Sequence, residues 1–206
     1  MLVDSEPVAC RVLAEVLQGH GIACDAVTAY RRFVGLRMAS VLAALAAQDG
    51  FVAPADFVER TRAATLAALA AEGVAPIPGV ATAVDAIAAA GPATCVASSG
   101  RFEKMRLTLG LSGLLPRFEG RLFSGEQVAH SKPAPDLFLL AAATLGQRPA
   151  DCVVVEDSLP GLEAARAAGM RAVAYTAAPW SDRAAMAALA WHSIDDMAAL
   201  SELLGI

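Results

Sequence analysis

Two adjacent carboxylates that end a run of β-branched residues are the part of this chain best suited to chemistry. Three valines at 153–155 lead directly into Glu156 and Asp157, and a Pro-Gly pair and an alanine-rich stretch follow. A buried strand followed by a helix is half of a parallel α/β unit, and ligands of open α/β sheets lie at the carboxyl ends of the strands. An unpaired charge there is costly, so a cation is the expected partner. The segment predicts a metal site; the alternative is a carboxylate pair that only complements the helix dipole.

A second polar loop follows another predicted strand. Residues 96–101 read V-A-S-S-G-R, so Ser98, Ser99 and Gly100 lie between a strand and a helix. Hydroxyl groups and backbone N–H groups in that position can bind an anion such as phosphate. The alternative is that one of the two serines is only the N-cap of the following helix.

A lysine lies in a third loop of this kind. Lys132 follows His130 and Ser131 and precedes two prolines, Pro133 and Pro135, just before a helical stretch. The prolines restrict the loop, and the ammonium group could neutralise a phosphoryl oxygen or a carboxylate. The alternative is an ordinary solvated lysine.

Strands that alternate with helices must position these three loops. Residues 5–18 and 25–73 are helical in pattern, and Pro76–Gly79 breaks the chain. Beyond this break the predicted strands are Thr94–Ala97, Leu122–Phe123, Cys152–Glu156, Arg171–Tyr175 and Trp191–Ile194, with helices between them. This order predicts an α/β fold, a Rossmann-like doubly wound parallel sheet with a helical cap inserted near the N-terminus.

Composition excludes several classes of protein. The 206 residues carry a net charge of −5, so their overall charge does not favour binding to nucleic acid or to an anionic membrane, which are themselves negative. No apolar run approaches the roughly 20 residues of a membrane span. The four cysteines form no C-x-x-C pair, which indicates neither a zinc site nor a disulfide framework. We therefore expect a cytoplasmic protein that binds neither nucleic acid nor membranes. Trp180 and Trp191 are interpreted as packing residues near the last strand.

The three loops, in this order on successive strands, resemble the haloacid dehalogenase superfamily. The resemblance rests on two segments, S-K-P-A-P-D and V-V-V-E-D-S-L-P-G-L-E-A-A-R-A-A-G-M. Within the superfamily, the chain most resembles the subclass with a small helical cap, which contains β-phosphoglucomutase and the sugar-phosphate phosphatases. It implies that Ser98 holds a phosphate, that Lys132 bridges phosphate and nucleophile, and that Asp157 with Glu156 binds Mg²⁺. It also implies a core of residues 1–8 and 76–206 with a cap of residues 9–75.

The start of the sequence departs from this family's pattern. The family's first strand ends in D-x-D-G-[TV]-L-x-D-S, and here Met1 falls on the Thr/Val position while Asp4-Ser5 match the final D-S. We therefore expect the nucleophilic and the acid/base aspartates, with the first strand, just upstream of residue 1. A misassigned start codon is the favoured interpretation. The alternative is a genuine truncation that leaves a phosphate- or metal-binding remnant without catalysis.

By this resemblance the predicted function is a Mg²⁺-dependent phosphatase of small phosphorylated metabolites, acting through an aspartyl-phosphate. Sugar phosphates or sugar-acid phosphates are the expected substrates; a β-phosphoglucomutase-like phosphomutase is the alternative. The candidate substrate contacts are Ser98, Ser99, Arg37, Arg60 and Arg101. For each arginine the alternative is an ordinary surface residue. We expect a monomer or a weak homodimer.

Overall fold

The computed structural model describes residues 1–178 and 181–206. The helices are α1 Glu6–Gly19, α2 Ala26–Phe33, α3 Met38–Asp49, α4 Phe57–Glu72, α5 Val80–Ala89, α6 Phe102–Leu111, α7 Asp136–Thr144, α8 Leu159–Ala167, α9 Arg183–Leu189 and α10 Ala199–Leu204. The strands are β1 Val96–Ser98, β2 Leu122–Ser124, β3 Val153–Glu156, β4 Arg171–Tyr175 and β5 His192–Ile194. Short 3-10 turns lie at Leu115–Phe118, Gly125–Gln127 and Pro149–Asp151.

All five strands pair in parallel, but they form two sheets. β1 pairs with β2, and β4 lies between β3 and β5. Among the described residues no strand joins β1 to β3, so each of these strands has one edge without a partner strand. The parallel α/β fold is confirmed, with a gap in the middle of the predicted sheet.

Helices cover both faces of the larger sheet. Along β4, Ala172 and Ala174 pack against the apolar cluster that includes Leu162 of α8. Val173, between them in sequence, packs against Leu200 of α10 on the opposite face. Alternate residues of a strand point to opposite faces, so a strand covered on both sides is apolar at successive buried positions, as β4 is after the exposed Arg171. The doubly wound arrangement is therefore observed.

Helices α1 to α4 share a separate apolar cluster. Its buried members include Leu17, Phe33, Leu45 and Phe57, one from each helix. The chain enters and leaves this unit at neighbouring points, because Val3 forms an antiparallel bridge with Pro76. Adjacent ends are what an insertion into a larger domain requires. The boundary of the cap at residues 9 and 75 stays a prediction.

Of the two tryptophans, Trp180 lies outside the described residues. Trp191 is 43% exposed, and the guanidinium of Arg171 lies 4.8 Å from its ring. It therefore stacks at the surface beside β5.

Within the described ranges, 1–178 and 181–206, none of the helices has both the length and the apolar character that crossing a membrane requires.

Candidate active site

The three polar loops meet at one cavity of about 1050 Å³. The cavity separates β1 from β3, and residues of both strands line it, so its walls are the two strand edges that lack a partner. Ser98, Lys132 and Asp157 all border it. Parallel strands bring the loops at their carboxyl ends to the same edge of a sheet, which explains why three segments distant in sequence converge here.

Lys132 and Glu156 form a buried ion pair at this cavity. Lys132 is 6% exposed and Glu156 is 7% exposed. The ammonium group contacts Glu156 Oε1, donates to the carbonyl of Ala97 at 3.2 Å and lies 4.6 Å from the ring centre of Phe138. Lys132 is thus no solvated loop lysine. Its charge is held on the wall of the cavity.

Two residues that the sequence analysis did not single out hold Glu156 in place. Ser158 Oγ donates to Glu156 Oε2 at 2.9 Å, and the Ser158 hydroxyl accepts from the Gly161 N–H at 3.3 Å. A Cβ atom at position 161 would overlap the Glu156 carboxylate, so only glycine fits there. The sequence signal for this packing is the glycine of the Pro-Gly pair after the carboxylates, which lies at the start of α8.

Asp157 is paired with a cation. Its Oδ2 lies 3.0 Å from the α-ammonium group of Met1, and the two side chains are 25% and 18% exposed. Burial alone would raise the pKa of Asp157, but the charge and hydrogen bond of the α-ammonium group together with the Lys132 charge outweigh it, so the pKa lies below its ordinary value. Burial would lower the pKa of the Met1 ammonium, but the charge and hydrogen bond of Asp157 together with the charges of Glu6 and Glu156 outweigh it, so the pKa is raised.

The serine loop is held by its own hydrogen bonds and by a contact from the helical unit. Ser98 Oγ accepts from the Gly100 N–H at 3.1 Å, and Ser99 Oγ donates to the carbonyl of Gly35 at 3.2 Å. Neither serine caps α6, so that alternative is wrong. The carboxylate of Glu126 instead accepts from the Phe102 N–H at 3.2 Å.

The three candidate arginines lie in different surroundings. Arg37 borders the cavity, and its guanidinium donates to backbone carbonyls of residues 125–129. Arg101 is exposed at the rim and donates to Glu126 at 2.6 Å. Arg60 is exposed, lies 3.6 Å from Asp56 and does not line the cavity. The structure therefore brings Arg37 and Arg101 to the site and leaves Arg60 on the surface.

The chain matches the protein-family model of the haloacid dehalogenase-like hydrolases over residues 2–169. Among curated proteins it is 29% identical to the 6-phosphogluconate phosphatase of Escherichia coli over 178 residues, which cover 86% of this chain and 79% of the relative. It is 31% identical to hexitol phosphatase B of the same organism over 175 residues, covering 84% and 78%.

Solved structures agree with this assignment. A haloacid dehalogenase family hydrolase from Deinococcus radiodurans, with bound phosphate and sodium, superimposes with a TM-score of 0.76 at 32% identity, covering 99% of this chain and 90% of that one. CbbY from Rhodobacter sphaeroides in complex with phosphate gives a TM-score of 0.79 at 26% identity, covering 97% and 92%. With the family model matching most of the chain, the protein belongs to the haloacid dehalogenase-like hydrolases.

Proposed function

We propose that the protein is a Mg²⁺-dependent, cytoplasmic phosphatase of small phosphorylated metabolites, with sugar phosphates or sugar-acid phosphates as substrates. The observation that carries the proposal is the buried Lys132–Glu156 pair, which faces the same cavity as Ser98 and Asp157. A fixed ammonium group, a hydroxyl donor and a carboxylate around one space suit a phosphoryl group. The names of the phosphatases that the chain resembles support the substrate class.

The proposal places the nucleophile on a strand that precedes Met1 in the natural protein. Support comes from the gap: β1 and β3 face each other across the cavity with unpaired edges, and the start of the chain borders the same space. A parallel strand there would satisfy both edges, since buried N–H and C=O groups rarely stay unpaired. Its carboxyl end would lie beside Ser98, Lys132 and Asp157.

The residues around the cavity include fitting ligands for Mg²⁺. No group of three or more His, Cys, Asp or Glu that could hold a metal occurs in the described part of the chain. Mg²⁺, however, is commonly bound through one or two carboxylates, waters and a substrate phosphate. Asp157 already pairs with a cation, the Met1 ammonium. In a longer chain that nitrogen is an uncharged amide, so Asp157 would need another cation.

In the proposed reaction an upstream aspartate attacks the phosphorus, the bond between phosphorus and the substrate oxygen breaks, and the upstream acid/base aspartate protonates that oxygen so that the substrate leaves as an alcohol. The same acid/base aspartate then takes a proton from the water that cleaves the aspartyl-phosphate and releases inorganic phosphate. Ser98 would donate to a phosphoryl oxygen, and Lys132 would neutralise its charge while Glu156 keeps the ammonium group in position. Asp157, with Glu156 beside it, would hold Mg²⁺. When bound, the ion supplies positive charge to the phosphoryl oxygens.

The first experiment is to read the DNA upstream of the Met1 codon and to express the protein with any in-frame extension. Hydrolysis of 6-phosphogluconate and of hexitol phosphates is then measured with and without Mg²⁺. A stop codon instead of an open frame would favour the non-catalytic remnant. Return of the phosphoryl group to a second hydroxyl of the sugar, without release of phosphate, would identify a phosphomutase.

Replacing Asp157→Asn in the extended protein is expected to abolish Mg²⁺-dependent turnover, because the amide loses the charge that holds the cation. Asp56→Asn, at an exposed residue before α4, is the matched control and should keep wild-type activity. Turnover that survives in Asp157→Asn with its Mg²⁺ dependence unchanged would contradict the metal assignment.

A further inference from the structure

Arg37 joins the helical unit to one turn of the α/β core. It immediately precedes α3, and its guanidinium donates to three backbone carbonyls: Gly125, Val128 at 3.1 Å and Ala129 at 3.5 Å. These acceptors lie about 90 residues away in sequence, between β2 and α7. The side chain is half-buried at this contact. Arg37, which borders the cavity, thus contacts carbonyls of the α/β core.

The same turn is bonded to the serine loop. Ser124 Oγ donates to the carbonyl of Gly100 at 2.8 Å. The carboxylate of Glu126 accepts from Arg101 Nε at 2.6 Å and from the Phe102 N–H at 3.2 Å. The turn that Arg37 contacts is therefore bonded, through Ser124 and Glu126, to the residues that directly follow Ser98 and Ser99.

The loop that carries Arg37 also contacts the carboxylate loop. Gly35, at φ +83°, accepts a hydrogen bond from Ser99, and a Cβ added to it would lie 2.9 Å from Ser158 Oγ. Ser158 in turn donates to Glu156. The loop of residues 34–37 therefore contacts the serine loop and the carboxylate loop. Only a residue without a Cβ at position 35 can lie this close to Ser158.

We propose that Arg37 is a positioning residue that couples the packing of the helical unit against the core to the geometry of the serine loop, through the turn at residues 124–129. The coupling rests on the proposed function in one respect, namely that the serine loop binds the phosphoryl group. Arg37 acts on that group through the turn, in place of the direct substrate contact expected from the sequence.

The chemistry of the contact requires arginine. A guanidinium presents five N–H donors in a planar fork, so one side chain reaches several carbonyl oxygens at once. A lysine ammonium is a compact, strongly hydrated charge on a flexible stem and cannot reproduce that spread. Charge alone therefore does not replace Arg37.

The test uses the ¹⁵N-labelled 206-residue protein without any anion. In Arg37→Ala we expect the amide signals of Gly100 and Phe102 to shift together with those of residues 125–129, and Arg37→Lys should behave like Arg37→Ala. Arg31→Ala, which removes an exposed arginine of α2, is the matched control and should leave these signals in place. Shifts confined to residues near position 37, or wild-type signals in Arg37→Lys, would overturn the proposal.

A second pair of variants tests the route and remains informative if Arg37→Ala folds poorly. Ser124→Ala together with Glu126→Ala removes both side-chain links between the turn and the serine loop while Arg37 stays in place. In that background Arg37→Lys should cause no further shift at Gly100 and Phe102. Independent, additive shifts would overturn the route through the turn.

Titration with inorganic phosphate separates the coupling from the proposed function. We expect Arg37→Ala to weaken phosphate binding roughly 2- to 30-fold, the range typical of coupling between distant sites. If wild-type protein binds no phosphate while the amide shifts occur, the coupling holds and the anion site fails. If phosphate binds equally to wild-type and Arg37→Ala protein, the serine loop does not depend on Arg37 and the coupling fails.

Discussion

At the residue scale, the two adjacent carboxylates Glu156 and Asp157 have different partners. The Glu156 carboxylate is bonded to Lys132, to Ser158 Oγ and to the Asp157 N–H, so its oxygens already have protein partners. A carboxylate so engaged holds the lysine in position, and its part in binding a metal beside Asp157 stays a prediction. Asp157, paired with a terminal ammonium, is the stronger candidate for the cation.

The buried pair gives the first stability prediction. Lys132→Met is expected to lower the free energy of unfolding by about 3–5 kcal/mol, because it leaves the Glu156 charge buried without its partner. The double change Lys132→Met with Glu156→Gln should cost less than the sum of the single changes, since the unpaired charge is gone. Urea denaturation of the three variants measures both quantities. Strictly additive losses would contradict a direct pair.

A comparison of two helical glycines tests the packing around Glu156. Gly161→Ala should destabilise the protein by roughly 1–3 kcal/mol, because its Cβ overlaps the Glu156 carboxylate. Gly110→Ala in α6 is the control: among the described atoms none lies within 4 Å of the added Cβ, and alanine should stabilise the helix by up to about 1 kcal/mol. Equal changes in the free energy of unfolding of the two variants, measured by urea denaturation, would show that helix propensity alone determines the effect of Gly161→Ala.

At the element scale, the strands and helices around the site lie close to where the sequence places them. The predicted strand Cys152–Glu156 is observed as β3, Val153–Glu156, and the alanine-rich stretch that follows the carboxylates is observed as α8, Leu159–Ala167. β1 is shifted toward the carboxyl end, at Val96–Ser98 against a predicted Thr94–Ala97. The residues that pair with β2 decide this boundary, and pairing is a tertiary property.

The N-terminal segment gives the 206-residue protein a specific pH dependence. The pKa of the Met1 ammonium is raised in the folded state, so its stabilising contribution is complete below its unfolded value of about 8 and is lost as the pH rises through the folded value. Asp157 has a lowered pKa, so its contribution is present above about 3.9 and is lost as the pH falls through the folded value. We expect a plateau of stability between these limits.

N-terminal acetylation isolates the alkaline side of this profile. It removes the ammonium charge, so the loss of stability above pH 8 should disappear and the protein should be less stable on the plateau. Urea midpoints between pH 6 and 10 for the acetylated and free forms measure the effect. Matching profiles for the two forms would show that the Met1–Asp157 contact contributes nothing.

At the scale of the whole molecule, the gap between β1 and β3 is the dominant feature. Both strands have an unpaired edge facing the cavity, whereas β4 is paired on both sides. This difference makes the placement of an additional strand testable without any assay of activity.

An extension that carries a strand upstream of Met1 is expected to slow amide hydrogen exchange in β1 and β3 by more than about tenfold, because each newly satisfied buried group is worth about 1–3 kcal/mol. Amides of β4 serve as the internal control for local effects, since their partners do not change. Exchange in β1 and β3 that stays as fast in the extended protein would place the added segment elsewhere.

The sequence by itself determined the local features of this protein. The valine run before Glu156-Asp157, the Pro-Gly pair at the start of α8, the proline-flanked Lys132 and the alternation of strands and helices are all encoded within short windows, where periodicity and the positions of proline and glycine decide the conformation. These features were sufficient for the fold class and for the three loops of the site.

The partners across the site were decided only by the tertiary structure. Lys132 bonds to Glu156, 24 residues away, and Arg37 reaches carbonyls that follow it by 88 to 92 residues. In the sequence Arg37 and Arg60 are equivalent candidates for a substrate contact. In the structure Arg37 is half-buried at the cavity, whereas Arg60 is exposed and does not line it. Contacts between distant segments depend on how helices and strands pack in three dimensions, and short sequence windows carry no record of that packing.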